Sequence, residues 1–108
     1  MITWIDLEDI GEYLGIDAED LDDYATTSVD AANEFAYRRR QAAGYEDPTD
    51  EAPNPAAKLG TILYAGALYR ERGSIDSFQS FQDQPITAPI GSMGQILRLL
   101  GIGKPAIG

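Results

Sequence analysis

The chain is 108 residues long and has neither cysteine nor histidine. That excludes a disulfide framework and thiolate metal sites, and removes the commonest general base and zinc ligand. Eighteen acidic and eight basic residues give a net charge of −10, and eleven of the carboxylates lie in the first 34 residues, where no Lys or Arg occurs.

Trp4, Leu7, Ile10 and Leu14 recur at three- and four-residue steps, which predicts a short amphipathic helix. Thr3 or Asp6 can cap its start, and Gly15 suits the left-handed residue that ends it. Asp17 is expected to open a second helix, with Asp20 as a carboxylate version of the capping box. Its apolar face runs through Leu21, Tyr24, Ala25, Ser28, Ala32, Phe35 and Ala36, and the helix spans roughly 18–43 before Gly44 stops it. Acids fill its first turns and Arg38, Arg39 and Arg40 its last, as the helix dipole favours.

Residues 44–54 hold Pro48, Pro53 and four acids, and read as a polar loop. Asn54-Pro55 then restarts the chain as an N-cap followed by proline at the first helical position. The third helix, 55–72, is apolar nearly all round and is expected to be the central buried one. Ser74–Ser92 loses the helical period, and a nineteen-residue connection of this kind is generally functional. A short last helix, 95–100, precedes an extended tail.

The expected fold is therefore all-α: a small four-helix domain with an extended arm between helices 3 and 4 and an extended C-terminal tail. Within one domain, 1–73 forms a three-helix core, 74–92 an interaction arm that is extended or a hairpin, and 93–108 a short helix and tail. Met1 is followed by acidic sequence rather than a basic and apolar leader. The longest apolar stretch, near 59–69, is too short to span a bilayer. Synthesis in the cytoplasm and no membrane association are the expectation.

Several motifs fail on inspection. The Asp17–Asp23 cluster lacks the spacing and glycine of a calcium loop, and a capped, solvated helix start is the better reading. Gly101-Ile102-Gly103-Lys104 lacks the first glycine of a phosphate loop and has Pro105 where a hydroxyl residue belongs. Ser28, Thr26 and Thr27 have no histidine to activate them. No catalytic residue, metal or cofactor is expected, and the chain does not read as an enzyme.

Two readings fit the arginines: a solvated helix end, or a patch meeting the acidic first third of an adjacent copy. Consecutive helical residues diverge by about 100°, so the three cannot share one partner. Phe78, Phe81, Ile86, Ile90, Ile102 and Ile107 sit in segments too loose to form one packed face. They are expected to be anchors for other chains. Leu63→Asp is accordingly expected to abolish folding, and Ile102→Asp to leave a folded monomer that fails to assemble.

The order of these elements resembles the head-to-tail connector proteins of long-tailed DNA bacteriophages. The resemblance runs through Trp4, Leu7-Glu8-Asp9 and Leu14-Gly15-Ile16, then Asp30-Ala31-Ala32-Asn33-Glu34-Phe35 with its arginines. It continues in Pro55-Ala56-Ala57-Lys58-Leu59, in Leu68-Tyr69-Arg70-Glu71-Arg72-Gly73 and in the closing Ile96–Pro105. Such proteins form a ring, usually twelve-fold, beneath the portal of the filled capsid. They extend the DNA channel and offer a docking surface to the next tail-proximal connector or the tail terminator protein.

The resemblance implies self-association, binding to portal, and a place in the virion at the head–tail interface. It gives Asp17, Glu19, Asp20, Asp22 and Asp23 a role as channel-lining carboxylates past which DNA slides without specific binding. The alternative is an acidic DNA mimic that blocks a host nucleic-acid-binding protein. Mimics spread carboxylates along an elongated surface, whereas here they are confined to one third. Binding to a nuclease, competed by DNA, would mark the mimic.

Overall fold

The computed structural model describes residues 1–72 and 87–102, with the backbone alone for 72 and 87–92. The described residues are all-α, with four α-helices: α1 (Leu7–Leu14), α2 (Asp23–Ala42), α3 (Pro55–Arg72) and α4 (Thr87–Leu99). A single 3₁₀ turn, Ala18–Asp20, lies between α1 and α2.

Asp6 caps α1 through a reciprocal box: its side chain accepts from Asp9 N at 3.0 Å, and Asp9 accepts from Asp6 N at 3.0 Å. Trp4 thus precedes the helix instead of lying on its stripe. Residues 3–5 form a strap across α2 that bends at Trp4. Trp4 enters one core cluster and Ile5 the other.

Buried Asn33 on α2 fixes that strap. Its Oδ1 accepts from Trp4 N at 3.1 Å and Ile5 N at 3.0 Å, while Nδ2 donates to Ile5 O at 3.1 Å. Trp4 Nε1 donates to Pro48 O at 2.9 Å, and Thr3 N to Thr49 O at 2.8 Å. The 44–54 loop is therefore bound to the strap across its middle.

The second helix begins later than the sequence suggests. Asp17 makes no side-chain cap, and residues 18–20 form the 3₁₀ turn. Asp22 instead caps α2 by accepting from Ala25 N at 3.2 Å. Two acidic cap candidates five residues apart compete. Leu21 decides between them by turning inward onto the second core cluster.

Helix α3 has the expected bounds, with Asn54 Oδ1 accepting from Ala57 N at 2.7 Å. It packs against α1, α2 and α4. Yet its buried face is made of small residues, Ala57, Gly60, Thr61, Ala65 and Gly66, while Ile62, Leu63 and Tyr64 are half-buried and Leu59 is 44% exposed. A Cβ on Gly60 would lie 3.1 Å from Leu99 Cβ and 3.2 Å from Ile96 O, so α4 crosses on backbone. Small residues draw neighbouring helices close, and the larger ones are left at the rim.

Residues 87–92, expected to be extended, are helical: α4 starts eight residues before Gln95. Pro89 falls in its first turn, where a missing N–H costs no helical hydrogen bond. Burial of Ile96 and Leu100 further along stabilises the helix despite its glycines.

The core has two parts. Trp4, Ala36, Ala57, Ile96 and Leu100 form one; Ile5, Ile10, Val29, Ala32 and Ala65 form the other. Tyr64 touches both and stacks on Phe35 with ring centroids 4.0 Å apart.

Candidate interaction surface

The acidic end is built by a tight reversal after α1. Gly15 takes φ +76°, and its N–H and that of Ile16 both donate to Gly11 O, at 2.8 and 2.9 Å. The returning chain presses on Gly11, where a Cβ would stand 2.5 Å from Ile16 O. The 3₁₀ turn and the Asp22 cap then hold Asp17, Glu19, Asp20, Asp22 and Asp23 together, all exposed. Glu8 and Glu12 of α1 join Asp17 and Glu19 around a shallow cleft. Among the described residues, Asp17, Glu19, Asp20 and Asp23 form no ion pair. The structure thus brings the proposed channel residues into one acidic surface.

The three arginines part company. Arg38 is exposed and pairs with Glu34 at 2.7 Å. Exposed Arg39 lies over the Phe35 ring at 5.7 Å. Arg40 is only 5% exposed and turns inward, which removes it from the surface patch read in the sequence.

All three nitrogens of the Arg40 guanidinium donate a hydrogen bond. Nε and Nη2 donate to Asp47 at 2.6 and 3.0 Å, and Nη1 donates to Leu100 O at 2.8 Å. The group also stacks 3.7 Å above the Tyr45 ring, whose hydroxyl donates to Gly101 O at 3.1 Å. The hydrogen bonds that Arg40 donates to Asp47 hold its guanidinium charged, raising its pKa above the ordinary arginine value against the opposing effect of burial. Arg40 therefore clasps the end of α4 to α2 and to the loop. The signal available in the sequence was Asp47, seven residues beyond Arg40 in an acid-rich loop.

Of the expected hydrophobic anchors, Phe78, Phe81, Ile86 and Ile107 lie outside the described residues. Ile90 lies in α4, where only backbone is described. Ile102 is half-buried and packs on the first core cluster. Its N–H donates to Leu97 O at 2.9 Å, and Gly101 at φ +79° completes a Schellman-type end to α4. Ile102 is thus sheltered in part by its own chain, because the cap folds it back onto the helix it ends.

Exposed aromatic surface lies beside the acidic end, and it includes Tyr24, which helical spacing places on the apolar face of α2. Tyr13, 40% exposed, sits over Gly66 and beneath Arg70, and Tyr24, 36% exposed, approaches Tyr69 with centroids 6.3 Å apart. Helical spacing alone gave these tyrosines no reason to differ from core residues.

No cluster of three or more metal-ligating side chains occurs among the described residues, and no described helix is long and apolar enough to cross a membrane. Comparison with family models, curated proteins and solved structures finds no match to this chain.

Proposed function

We propose that this chain is a structural adaptor, one subunit of a ring between portal and tail in a long-tailed DNA bacteriophage, without catalysis. The observation that carries the reading is charge separation along α2. Exposed Asp23 and exposed Arg38 stand fifteen residues apart, about 22 Å along the axis. That exceeds the ~8 Å Debye length of physiological salt, so the two ends have little use for one another within a chain.

Adjacent copies placed head to tail bring the opposite ends together, and such contacts close into rings. Two exposed arginines offset only part of the acidic end. The surplus among Asp17, Glu19, Asp20, Asp22 and Asp23 faces the lumen, where like charge keeps DNA from adhering. Portal and the next tail-proximal protein dock on the ring's two faces, and the virion is the site of action.

Reversing Arg38 and Arg39 to Glu tests the contact. Both are exposed, so the variant keeps its helicity but loses ring formation on the portal of the same phage. Mixing it with an Asp20→Lys, Asp23→Lys population restores mixed assemblies. Unaltered assembly of the charge-reversed variant, together with wild-type assembly indifferent to salt, would overturn the proposal.

A further inference from the structure

We infer that α4 is an exchangeable helix, which a second copy of this chain can supply to the α3 face around Gly60. The inference does not depend on the connector reading. Three features of the described residues carry it.

The first is the divided core. Ile5, Ile10, Val29, Ala32 and Ala65 form a cluster that includes no described side chain of α4, so α1, α2 and α3 keep a shared core when α4 leaves. Ile96 and Leu100 are confined to the other cluster, against Trp4, Ala36 and Ala57. The second is the form of the receiving face. It is a bare backbone notch at Gly60 that accepts Leu99 and the Ile96 carbonyl, flanked by a clasp that recognises a helix end. Arg40 donates to Leu100 O and Tyr45 to Gly101 O. These contacts read α4 without regard to which chain it comes from.

The third is connection length. Fourteen residues separate Arg72 from Thr87. Fourteen residues reach at most about 50 Å when extended. A connection of that length does not dictate which copy α4 joins. Exchange of one element between identical chains is a low-cost route to association, because every contact already exists in the monomer.

Complementation in trans tests this with full-length chains. Leu100→Asp spoils α4 but leaves the receiving face; Gly60→Leu blocks the face but leaves α4. Trp4 is the only tryptophan and packs in the α4-dependent cluster, so its emission reports docking. Each variant alone shows red-shifted emission. A 1:1 mixture gives a species of two chains and recovers about half of the shift, because only the Leu100→Asp chain regains a helix. A mixture that merely averages its components, with no two-chain species, overturns the inference.

Should either variant lose all helicity, Tyr45→Phe gives an independent reading, since it deletes one hydrogen bond at a partly exposed residue. Amide exchange in α4 then accelerates several-fold while the amides of α2 hold their wild-type rates. Equal acceleration of both helices would show that α4 is not a separable unit, and would equally sink the proposal.

Discussion

At the residue scale, the fold depends on two buried polar side chains that each tie α2 to other segments of the chain. Asn33 satisfies three backbone groups of the strap. Each buried group left without a partner costs about 1–3 kcal/mol. Asn33→Ala should therefore destabilise the protein by roughly 3 kcal/mol or more in urea titration, with Trp4 fluorescence altered even before unfolding. A loss under about 0.5 kcal/mol, the scale of an ordinary surface substitution, would mean that the strap is held by Trp4 and Ile5 packing alone.

Arg40 and Asp47 make the second case. Breaking a buried pair by removing one partner costs about 3–5 kcal/mol, whereas replacing both by apolar residues is often neutral. Asp47→Leu should thus be severe, and Arg40→Met with Asp47→Leu much milder. The double-mutant cycle should show strong coupling between the two sites. Additive effects would contradict the clasp. Beyond Asp47, seven residues after Arg40, little in the sequence announced either role. A buried asparagine and an inward arginine look the same in sequence as their exposed counterparts, because what decides them is a contact 28 to 60 residues away.

At the scale of elements, local chemistry was legible wherever one signal stood alone. Asn54-Pro55 set the start of α3, and Gly15 the end of α1, because no neighbouring residue could do either task. The start of α2 was misplaced because Asp17 and Asp22 are equally good caps until the burial of Leu21 chooses. The start of α4 was misplaced because glycine and proline lower helix propensity locally, while the stabilising contacts of Ile96 and Leu100 are tertiary. Most of α3's apolar character was also misread: close helix contact selects its small residues, so Leu63 sits at the rim.

That last point changes two expectations. Leu63 and Ile102 are both half-buried on the same cluster, so the sharp division between core and anchor does not survive. Ile102→Asp should lower the melting temperature as well as any assembly, by an amount comparable to Leu63→Asp. A fully wild-type melting curve for Ile102→Asp would restore its role as a pure anchor.

Tyr64, where the two clusters meet, adds a pH dependence. Burial raises its phenol pKa, with Glu71 reinforcing the shift and Arg39 opposing it. The folded state thus favours the neutral phenol. Its stabilising effect is complete below the unfolded value of about 10 and is lost as pH climbs through the raised folded value. Denaturation midpoints should fall across that alkaline window in wild type and fall less in Tyr64→Phe. Identical alkaline slopes would show that Tyr64 is not the group responsible.

At the scale of the molecule, the acidic excess read from the sequence reappears as one surface, with Arg38 and Arg39 held about 22 Å away along α2. The charge map was legible because net sign and clustering need no tertiary information. Which arginines stay outside was not, since helix rotation and the loop after Gly44 together decide it. This arrangement makes salt a direct probe of assembly: contacts between exposed charges weaken as the Debye length shrinks from ~10 Å at 0.1 M to ~3 Å at 1 M. Self-association carried by α2 should fall over that range, while the helical fold, which rests on buried contacts, should not.

As proposed above, the chain works as a ring subunit on portal. Measuring the mass of the full-length protein by light scattering, alone and with the portal of the same phage, tests it most directly. The expected result is a discrete complex containing many copies of the chain per portal ring, formed at low salt and lost in Arg38→Glu, Arg39→Glu. A protein that stays monomeric at every ratio of portal, with no complex at any ionic strength, would contradict it.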